Sequence, residues 1–590
     1  MKKNGFSVIE VILAAALFMI IATGSITVIL QGLDSNRLGE EQTVANQYAT
    51  EGMEAVRSIK NQNFANLVNS AGTGVAQSGG VWIFSGTNNT NTFNPVGKYT
   101  RAIKVESVYR DAVPPAGNIV TSGTLDPDTK KITSTVSWNF TPSRANSVQL
   151  ISYLSDWRKP ITPSRGGILV YGDGGTTTDA IKYKIFDPDT GTWGAATATA
   201  DVDVSTTNKA LRVARVFASS TRDEKVLVTR HYNGSSHFIY AQVFNSTGWS
   251  NVQLLFSWAS TSFLNVRNFD GTYLSNGNFM VVYSDNTTTP KYRIWNGASW
   301  GSQTNAVNVG GIPTYIVAKA RPNTNEVMIA TFDQTSDTNT AYFNGSSWSA
   351  AVQHSSAAPT NTKEHIDFAW SLQNALKGAM VYPGGGTDST QDLKIWTANG
   401  SGSGSWSATS NAPNLGGRLG AVDIDGRRGA EEFVSCQKNA NNKIGCFLAN
   451  TTPGWSTPAN NTLTNNTEGG IQRSYNFAFE DSGSEGVVVY SDNTSTPKLK
   501  KYVSSSNSFD ATPSNLDTLG GVLTTIRMRP LSDSEDIFIF MATGNTLYSV
   551  LWDGTGNVVY ILPTGKAFIT HGTNGSATTD FWYDFAWDKF

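Results

Sequence analysis

The chain has 590 residues, of which 15% are charged, and its net charge is -2. This length exceeds that of a usual single domain, so we expect two or more domains. A nearly neutral chain lacks the basic surface that nucleic-acid binding needs, and we expect no nucleic-acid partner. The abundance of Gly, Asn, Thr and Ser, together with 16 Trp, 20 Tyr and 28 Phe, favours β structure with tight loops.

The N-terminus combines a short basic leader with a long uncharged segment. Lys2 and Lys3 come first, and the 23 residues 11–33 carry no charge. As an α-helix this segment spans roughly 34 Å, which is enough to cross a bilayer. The lysines are expected to remain cytoplasmic. An ordinary signal anchor is the alternative, but residues 22–25 make a poor cleavage site.

Glu10 lies at the start of this segment, where a carboxylate is costly and marks a functional site. The arrangement of Gly5, Phe6 and Glu10 behind a basic leader resembles the processing site of type IV pilins. The resemblance implies cleavage between Gly5 and Phe6 by a prepilin peptidase, and N-methylation of Phe6. It also implies that Glu10 pairs with the amino group of a neighbouring subunit's Phe6, because opposite charges in a low-dielectric medium stabilise each other.

Amphipathic periodicity continues the helical pattern over residues 38–59. We predict a leader of residues 1–5 and one long helix over residues 6–67, which spans the membrane in its first half. In pilins such a helix packs into the filament core.

Short alternating runs predict a small antiparallel sheet domain over residues 68–158, with a turn at residues 124–131. Residues 42–64 and 135–138 resemble minor pilins, which implies an α+β pilin module. Residues 159–165 are predicted to be a linker that its prolines stiffen.

Residues 166–590 contain one pattern eight times. An apolar run ends on a marked position at intervals of 47 to 58 residues, and an aromatic residue follows each mark. Repeats of this length with about four short strands each predict an all-β propeller, with eight blades favoured over seven. The marked positions are Tyr171, Thr229, Tyr283, Ala330, Tyr382, Ser435, Tyr490 and Met541.

The C-terminus repeats the opening strand of a blade with nothing after it. Residues 584–587 resemble the openings at residues 368–370 and 477–479, whereas the first repeat starts abruptly near Gly166. We predict that the C-terminal strand completes the first blade and closes the ring, because the sheet edge would otherwise stay unpaired.

A second aromatic residue follows the first in seven of the eight repeats. Because these residues recur at one place in each blade, we predict that they pack between blades, in preference to stacking on a ligand. The aromatic residues outside the repeat are better ligand candidates: Trp258, Tyr315 and Trp582.

Acidic motifs are weak evidence for an enzyme or a metal site. Residues 187–193 resemble the Asp-box of sialidase-type propellers but are one residue short, and residues 423–426 slightly resemble calcium loops. Because arginines follow where oxygen ligands are needed, we predict a polar hairpin turn there. We predict solvated turn positions, not paired catalytic acids, for Glu480, Asp481 and Glu485. We predict no catalytic residue, metal or cofactor.

Two near-identical loops, residues 283–291 and 490–498, follow the second strands of their repeats. Such loops lie on one rim of a propeller, where binding sites are common. A recent blade duplication is the simpler explanation of their likeness. The candidate ligand contacts are Asp285, Asn286, Lys291, Asp492, Asn493 and Lys498.

The two cysteines, Cys436 and Cys446, lie on predicted adjacent strands of the sixth repeat. If they face each other, their separation suits a disulfide, which we expect outside the membrane. Two reduced, buried thiols are the alternative.

The pattern as a whole predicts a minor pilin or pseudopilin of a type IV pilus-like filament. Its precursor is expected in the cytoplasmic membrane, and the mature chain in an extracellular filament or at the cell surface. Its partners would be a prepilin peptidase, other pilin subunits and an extracellular glycan or protein ligand. The alternatives are a surface hydrolase on a pilin-like anchor and a type II secretion pseudopilin that recruits cargo.

Overall fold

The computed structural model describes residues 7–91, 96–111, 118–155, 166–172, 181–188, 191–200, 202, 209–260, 266–356, 364–384, 390–469, 473–544, 546–554, 558–559, 569–572 and 582–588. The chain divides into two compact units, Met1–Thr162 and Pro163–Phe590. The predictions for Gly5, Phe6, the leader and the linker at residues 159–165 lie outside the described residues.

One long helix, α1, runs over Val8–Gln62. Ser7 caps its N-terminus, and its C-terminal cap, Asn63, has an extended backbone that ends the helix. A short 3₁₀ turn follows at Phe64–Asn66. The helix therefore ends five residues before the predicted boundary at Leu67.

Burial divides α1 into two parts. Among the described residues before Glu41, no side chain is buried, and α1 is long and apolar enough to cross a membrane there. From Glu41 onward, the helix buries one face against the sheet, with Ala45, Tyr48, Val56 and Ile59 in the core. The second part of α1 therefore belongs to the fold of the first unit.

The first unit contains a small antiparallel sheet in the order β1-β5-β7-β8, with β4 and β6 beside β5, and a separate β2-β3 hairpin. The strands are β1 Ser70–Thr73, β2 Val75–Ser78, β3 Val81–Phe84, β4 Asn89–Thr90, β5 Thr100–Arg110, β6 Ile119–Val120, β7 Thr124–Thr141 and β8 Arg144–Ser155.

The turn predicted at residues 124–131 is wrong, because these residues begin strand β7. Ser107 pairs with Lys130 and Val108 with Asp126, so the residues between Asp126 and Lys130 bulge out of the ladder. Asp128 N–H bonds the Asp126 carboxylate at 3.1 Å, a local turn inside the strand. The turn residues in the sequence thus produce a bulge.

The second unit contains eight separate antiparallel sheets, each a blade of a propeller. Its strands are, in blade 1, β9 Gly167–Tyr171, β10 Lys182–Asp187, β11 Thr192–Trp193 and β12 Thr197–Ala198; in blade 2, β13 Ala210–Ala218, β14 Lys225–Tyr232, β15 Ser236–Asn245 and β16 Gly248–Ala259; in blade 3, β17 Phe269–Tyr273, β18 Phe279–Tyr283, β19 Lys291–Trp295 and β20 Thr304–Asn305; in blade 4, β21 Pro313–Ala320, β22 Val327–Asp333, β23 Thr338–Phe343 and β24 Val352–Ser355.

The remaining strands are, in blade 5, β25 Asp367–Trp370, β26 Lys377–Pro383, β27 Gln391–Ala398, β28 Gly404–Trp406 and β29 Ser410–Asn411; in blade 6, β30 Leu419–Gly426, β31 Glu432–Asn439, β32 Ile444–Asn450, β33 Gly454–Ser456 and β34 Thr462–Thr464; in blade 7, β35 Tyr475–Phe479, β36 Glu485–Tyr490, β37 Lys498–Val503, β38 Ser508–Phe509 and β39 Ser514–Asn515; in blade 8, β40 Thr525–Pro530, β41 Ile537–Thr543, β42 Thr546–Trp552, β43 Val558–Val559 and β44 Ile569–Gly572; and finally β45 Tyr583–Trp587.

The C-terminal strand closes the ring, which confirms the prediction. β45 pairs antiparallel with β9, with Tyr583 opposite Tyr171 and Trp587 opposite Gly167. It therefore supplies the innermost strand of blade 1, the place that β13, β17, β21, β25, β30, β35 and β40 take in blades 2 to 8. The eight predicted blades are also confirmed.

The two recurrent aromatic residues of a blade contact each other in all seven blades that have both. Their ring centroids lie between 5.0 Å, for Tyr502–Phe509, and 6.2 Å, for Phe447–Trp455. The second aromatic also reaches the preceding blade, as Trp300 Nε1 does in donating to Asn251 O at 3.0 Å. The rings therefore pack between blades, as predicted.

We predict that removing residues 581–590 abolishes cooperative unfolding of the propeller, because β9 would keep β10 but lose its inner partner, β45, along its whole length. Thermal unfolding of the full chain in detergent, followed by tryptophan fluorescence, tests this. Removal of residues 589–590 alone is the control and should leave the transition unchanged. An unchanged transition in the longer deletion would contradict the closure account.

Candidate functional site

The inner strands of the propeller surround a polar cavity of about 170 Å³. Blades 2 to 8 all contribute to its lining. The residues at one end of the cavity are more deeply buried than those at the other end. Six cationic and four acidic side chains line it: Arg215, Arg267, Lys319, Arg473, Arg527, Arg529, Asp270, Asp367, Asp423 and Asp425.

Burial distinguishes a deep end from a shallow end of the cavity. Arg267, Arg473 and Arg527 are only 5%, 6% and 2% exposed, and we call them the arginine floor. Lys319, Asp425 and Arg529 near the C-terminal ends of their strands are half-buried, and we call them the mouth. A ligand would therefore enter past the positive and negative side chains of the mouth and then reach the arginine floor.

Acidic and amide side chains on the inner strands connect neighbouring blades. Asp584 accepts a hydrogen bond from Val216 N at 3.1 Å, and Asp270 accepts one from Ala318 N at 3.0 Å. The same bond recurs from Asp367 to Ile424 N at 3.3 Å, from Asp423 to Phe477 N at 3.2 Å and from Asn476 to Met528 N at 2.8 Å. Charged acceptors make such bonds strong, so these residues stabilise the ring.

Glu364 lies among the three arginines of the floor. Its carboxylate is 3.4 Å from Arg473, 3.8 Å from Arg267 and 3.9 Å from Arg527. These distances fit ion pairs but exceed those of good hydrogen bonds. Burial alone would raise the pKa of Glu364, but the arginines outweigh it and lower the pKa to about 2.

Four further ion pairs extend the charged network around the cavity. Arg215 lies 3.5 Å from both Asp270 and Asp584, and Arg529 lies 2.5 Å from Asp584. Arg473 donates to Asp423 at 2.9 Å. Each of these three arginines thus has a carboxylate within 3.5 Å, which offsets the cost of burying it.

Asp367, Asp423 and Asp425 form the acidic wall of the cavity. Burial raises the pKa of Asp367 to about 6 and that of Asp425 to about 7. Asp425 keeps one strong contact, from Phe479 N at 2.9 Å. Lys319 also lies at this side of the cavity. Asp367 and Asp425 are thus partly protonated near neutral pH.

In chemical terms the cavity can bind an oxyanion through its guanidinium groups and hydroxyl groups through its carboxylates. Among the residues that the structure describes, no group of three or more His, Cys, Asp and Glu side chains could hold a metal ion.

The two candidate ligand loops make the same contacts between their polar side chains. Lys291 lies 3.2 Å from Asp285 and donates to Asn305 Oδ1 at 2.7 Å, while Asn286 has φ of 63°. In the second loop Lys498 lies 3.4 Å from Asp492 and donates to Asn515 Oδ1 at 2.8 Å, and Asn493 has φ of 67°. Both loops are therefore the same self-contained turn, and their role in ligand binding stays a prediction.

Cys436 and Cys446 lie directly opposite each other on β31 and β32. The structure joins them by a disulfide with a Cα–Cα distance of 4.0 Å, and both side chains are fully buried. Their oxidation in the cell stays a prediction.

Glu10 forms a capping box with Ser7 at the start of α1. Its carboxylate accepts from Ser7 N at 3.0 Å, and Ser7 Oγ accepts from Ile9 N at 3.3 Å. An acid at this end also interacts well with the helix dipole. Within one chain the carboxylate therefore has a backbone partner but no cation among the described residues.

Two predictions about acidic residues are wrong. The predicted hairpin turn at residues 423–426 is part of the inner strand β30, and both of its carboxylates line the cavity. Glu480 is only 2% exposed, not a solvated turn residue, and burial raises its pKa to about 7. The N–H groups that bond Asp423 and Asp425 belong to Phe477 and Phe479, 54 residues away, whereas Glu480 accepts from the nearby Glu485 N at 3.3 Å.

Of the three aromatic residues outside the repeat, only Tyr315 lines the cavity. The Arg267 guanidinium lies 4.2 Å above its ring. Trp258 instead stacks on His237 at 4.8 Å, and Trp582 is buried in the core between blades 8 and 1. The Asp or Asn that bonds the next inner strand could have been found in the sequence, because it directly precedes the aromatic of the opening strand in Asp367-Phe368, Asn476-Phe477 and Asp584-Phe585.

No family model and no curated protein sequence matches the chain. Solved structures with similar folds include the BP39L lectin from Burkholderia pseudomallei, with a TM-score of 0.43 and 11% identity over 61% of this chain and 99% of that one. The periplasmic gluconolactonase PpgL of Pseudomonas aeruginosa has a TM-score of 0.34 and 12% identity over 60% and 97% of the two chains. Likeness of this extent carries no argument about ligand or activity.

We predict that Asp425→Asn stabilises the propeller at alkaline pH. The pKa of Asp425 is about 7 in the folded state, so folding takes up a proton between pH 4 and 7 and stability falls as pH rises through that range. The asparagine avoids this loss and can still accept from Phe479 N–H. Thermal unfolding should show a gain of about 2 °C at pH 8 and none at pH 4.

Asp223→Asn is the control for that measurement, since its side chain is 67% exposed. It should change the unfolding temperature at neither pH. An equal gain for Asp425→Asn at pH 4 and pH 8 would contradict the titration account.

Proposed function

We propose that this chain is a minor pilin or pseudopilin, a membrane-inserted subunit of a type IV pilus-like filament that displays an extracellular propeller for adhesion or ligand binding. The observation that carries the proposal is the burial boundary within α1, between an exposed apolar part and a packed part. A prepilin peptidase would remove residues 1–5 at the cytoplasmic membrane. Other pilin subunits would then surround the helix.

The first part of α1 needs an apolar environment that the described chain does not supply. Ile9, Phe18 and Ile20 are 74%, 72% and 70% exposed. Burying one such side chain stabilises by about 1.5–3 kcal/mol, so leaving the whole segment in water is very costly. Lipid before assembly and neighbouring helices after assembly would both remove this surface from water.

Glu10 supports assembly in preference to a simple anchor role. A capping box would stabilise the helix of a plain membrane anchor as well, but an ionised group without a charge partner is costly in lipid. The capping box provides backbone N–H groups but no charge partner. The free amino group of a neighbouring subunit's Phe6 would provide that charge, so pairing would favour a defined register between subunits.

The size of the propeller bears on where the subunit lies in a filament. Residues 166–590 form the head, whereas the pilin module has 162 residues at most. A head of this bulk is difficult to repeat at every subunit of a tightly wound fibre. We therefore expect a low copy number, with placement at the tip.

A surface hydrolase is the second candidate function, because the cavity holds carboxyl groups whose pKa burial raises towards neutrality. Asp425, with a pKa of about 7, is the natural general acid of such an enzyme. Turnover of glycosides by the full-length protein, lost in Asp425→Asn, would establish the enzyme. Saturable binding without turnover would favour the binding role.

We predict that Glu10→Ala leaves membrane insertion intact but lowers the amount of the subunit in sheared filaments at least tenfold. The substitution removes the partner of the neighbouring amino group and keeps the apolar segment. Immunoblots of membrane and filament fractions from the native host measure both quantities.

Glu40→Ala is the matched control, since Glu40 is an exposed glutamate on the same helix. It should behave as the wild type. If Glu10→Ala enters filaments at the wild-type level, the proposed pairing and the filament role that rests on it are wrong.

A further inference from the structure

The mouth of the propeller cavity presents two opposite charges that the described residues leave without an ion pair. We propose that it binds a free α-amino acid as a zwitterion, with the ligand carboxylate at Lys319 and the ligand ammonium group at Asp425. The inference deepens the proposed ligand-binding role of the propeller and rests on it. It concerns the purified protein, so it can fail without affecting the filament role.

The three residues of the mouth occupy equivalent positions on blades 4, 6 and 8. On each of these blades, the inner strand bonds the preceding blade through one backbone N–H. The next residue in the chain lines the cavity, and it is Lys319, Asp425 or Arg529. Arg529 is in an ion pair, at 2.5 Å from Asp584. The other two, a cation and an anion, therefore lie at one level of the cavity with only one blade between them.

Lys319 and Asp425 face the same cavity without touching. The Lys319 side chain makes no hydrogen bond or ion pair with the described residues. Asp425 accepts from Phe479 N at 2.9 Å but has no ion-pair partner among those residues. Burial raises the pKa of Asp425 and the Lys319 charge opposes that rise, so the two charges act on each other across the cavity. Both side chains are half-buried, which leaves them open to a ligand.

The deeper arginines of the cavity already pair with carboxylates of the chain. Arg473, for example, lies 2.9 Å from Asp423 and 3.4 Å from Glu364. With Glu364 and Asp584 counted, six carboxylates match the six cations that line the cavity. A ligand with a net charge would upset this balance, whereas a zwitterion keeps it. The ligand therefore binds at the mouth and is neutral overall.

Opposite charges that lie apart favour a ligand that carries both charges over one that carries only hydroxyl groups. An ammonium group of the ligand donates to Asp425, and a carboxylate accepts from the Lys319 ammonium group. A hydrogen bond between ionised groups is roughly twice as strong as one between neutral groups. An α-amino acid has both groups on one carbon, whereas a neutral sugar has neither. The mouth therefore favours the amino acid.

The volume restricts the ligand to one small molecule. A cavity of about 170 Å³ is below the range of roughly 300–1,000 Å³ that drug-sized ligands occupy. It still exceeds the volume of a single water several times over. Ile424, Ala478 and Pro530 line the same cavity and offer apolar contact to an aliphatic side chain. A free amino acid suits this space, and a peptide does not.

Titration calorimetry on the full-length protein in detergent at pH 8 tests the proposal, because Asp425, with a pKa of about 7, is mostly ionised there. The probes are glycine, L-alanine, L-serine, L-leucine and glucose. Each amino acid is compared with the hydroxy acid and the amine of the same side chain, such as L-lactate and ethylamine for L-alanine. We expect saturable binding of at least one amino acid, with its hydroxy acid, its amine and glucose bound at least tenfold more weakly.

Two substitutions remove one charge each and are chosen to keep the fold. Lys319→Met breaks no side-chain hydrogen bond or ion pair with the described residues, and Asp425→Asn keeps an acceptor for Phe479 N–H. Each should raise the Kd of the bound amino acid at least tenfold. Thermal unfolding checks that each variant is folded, and should one of them fail to fold, the other decides. Asp223→Asn should leave binding unchanged, which controls for surface charge.

Four outcomes overturn the proposal: no binding of any amino acid, a hydroxy acid or amine bound as tightly as its amino acid, glucose bound as tightly, or amino-acid binding that the folded variants leave unchanged. A propeller that binds another class of ligand and no amino acid would keep its proposed role and lose only this inference. None of these results touches the Glu10 filament experiment, and a failed Glu10 experiment leaves the cavity result standing.

Discussion

The burial boundary within α1 is the constraint on which the function of this chain depends. The uncharged segment at residues 11–33 has no buried side chain, whereas from Glu41 onward one face of the helix is sealed against the sheet of the first unit. A helix of this kind is stable only if lipid or other helices cover its first part. The single carboxylate at its start then favours a protein neighbour with a free amino group over lipid alone.

The propeller depends on a second constraint, the closure of its ring by β45. That strand pairs with β9 and brings in Asp584, which bonds Val216 N and pairs with Arg215 and Arg529. The same carboxylates and amides that connect the blades also surround the central cavity. Ring stability and the charge pattern of the cavity are therefore properties of one set of side chains, and changes to this set affect both.

The periodic features of the fold could be predicted from the sequence, and the buried polar groups could not. The helix, the blade number and the closing strand each follow from a pattern that repeats along the chain. Asp423 and Asp425 looked like a turn because two acids next to a glycine usually are one, yet the N–H groups that hold them belong to Phe477 and Phe479, 54 residues away. Arg267, Glu364 and Arg473 come together only when the ring closes, so no local pattern shows them.

The most direct test of the central claim is mass spectrometry of the N-terminal peptide of the protein from its native host. The filament account predicts a mature chain that begins at an N-methylated Phe6, with the apolar segment and Glu10 retained. A chain that still begins at Met1, or that has been cut beyond the apolar segment, would contradict it.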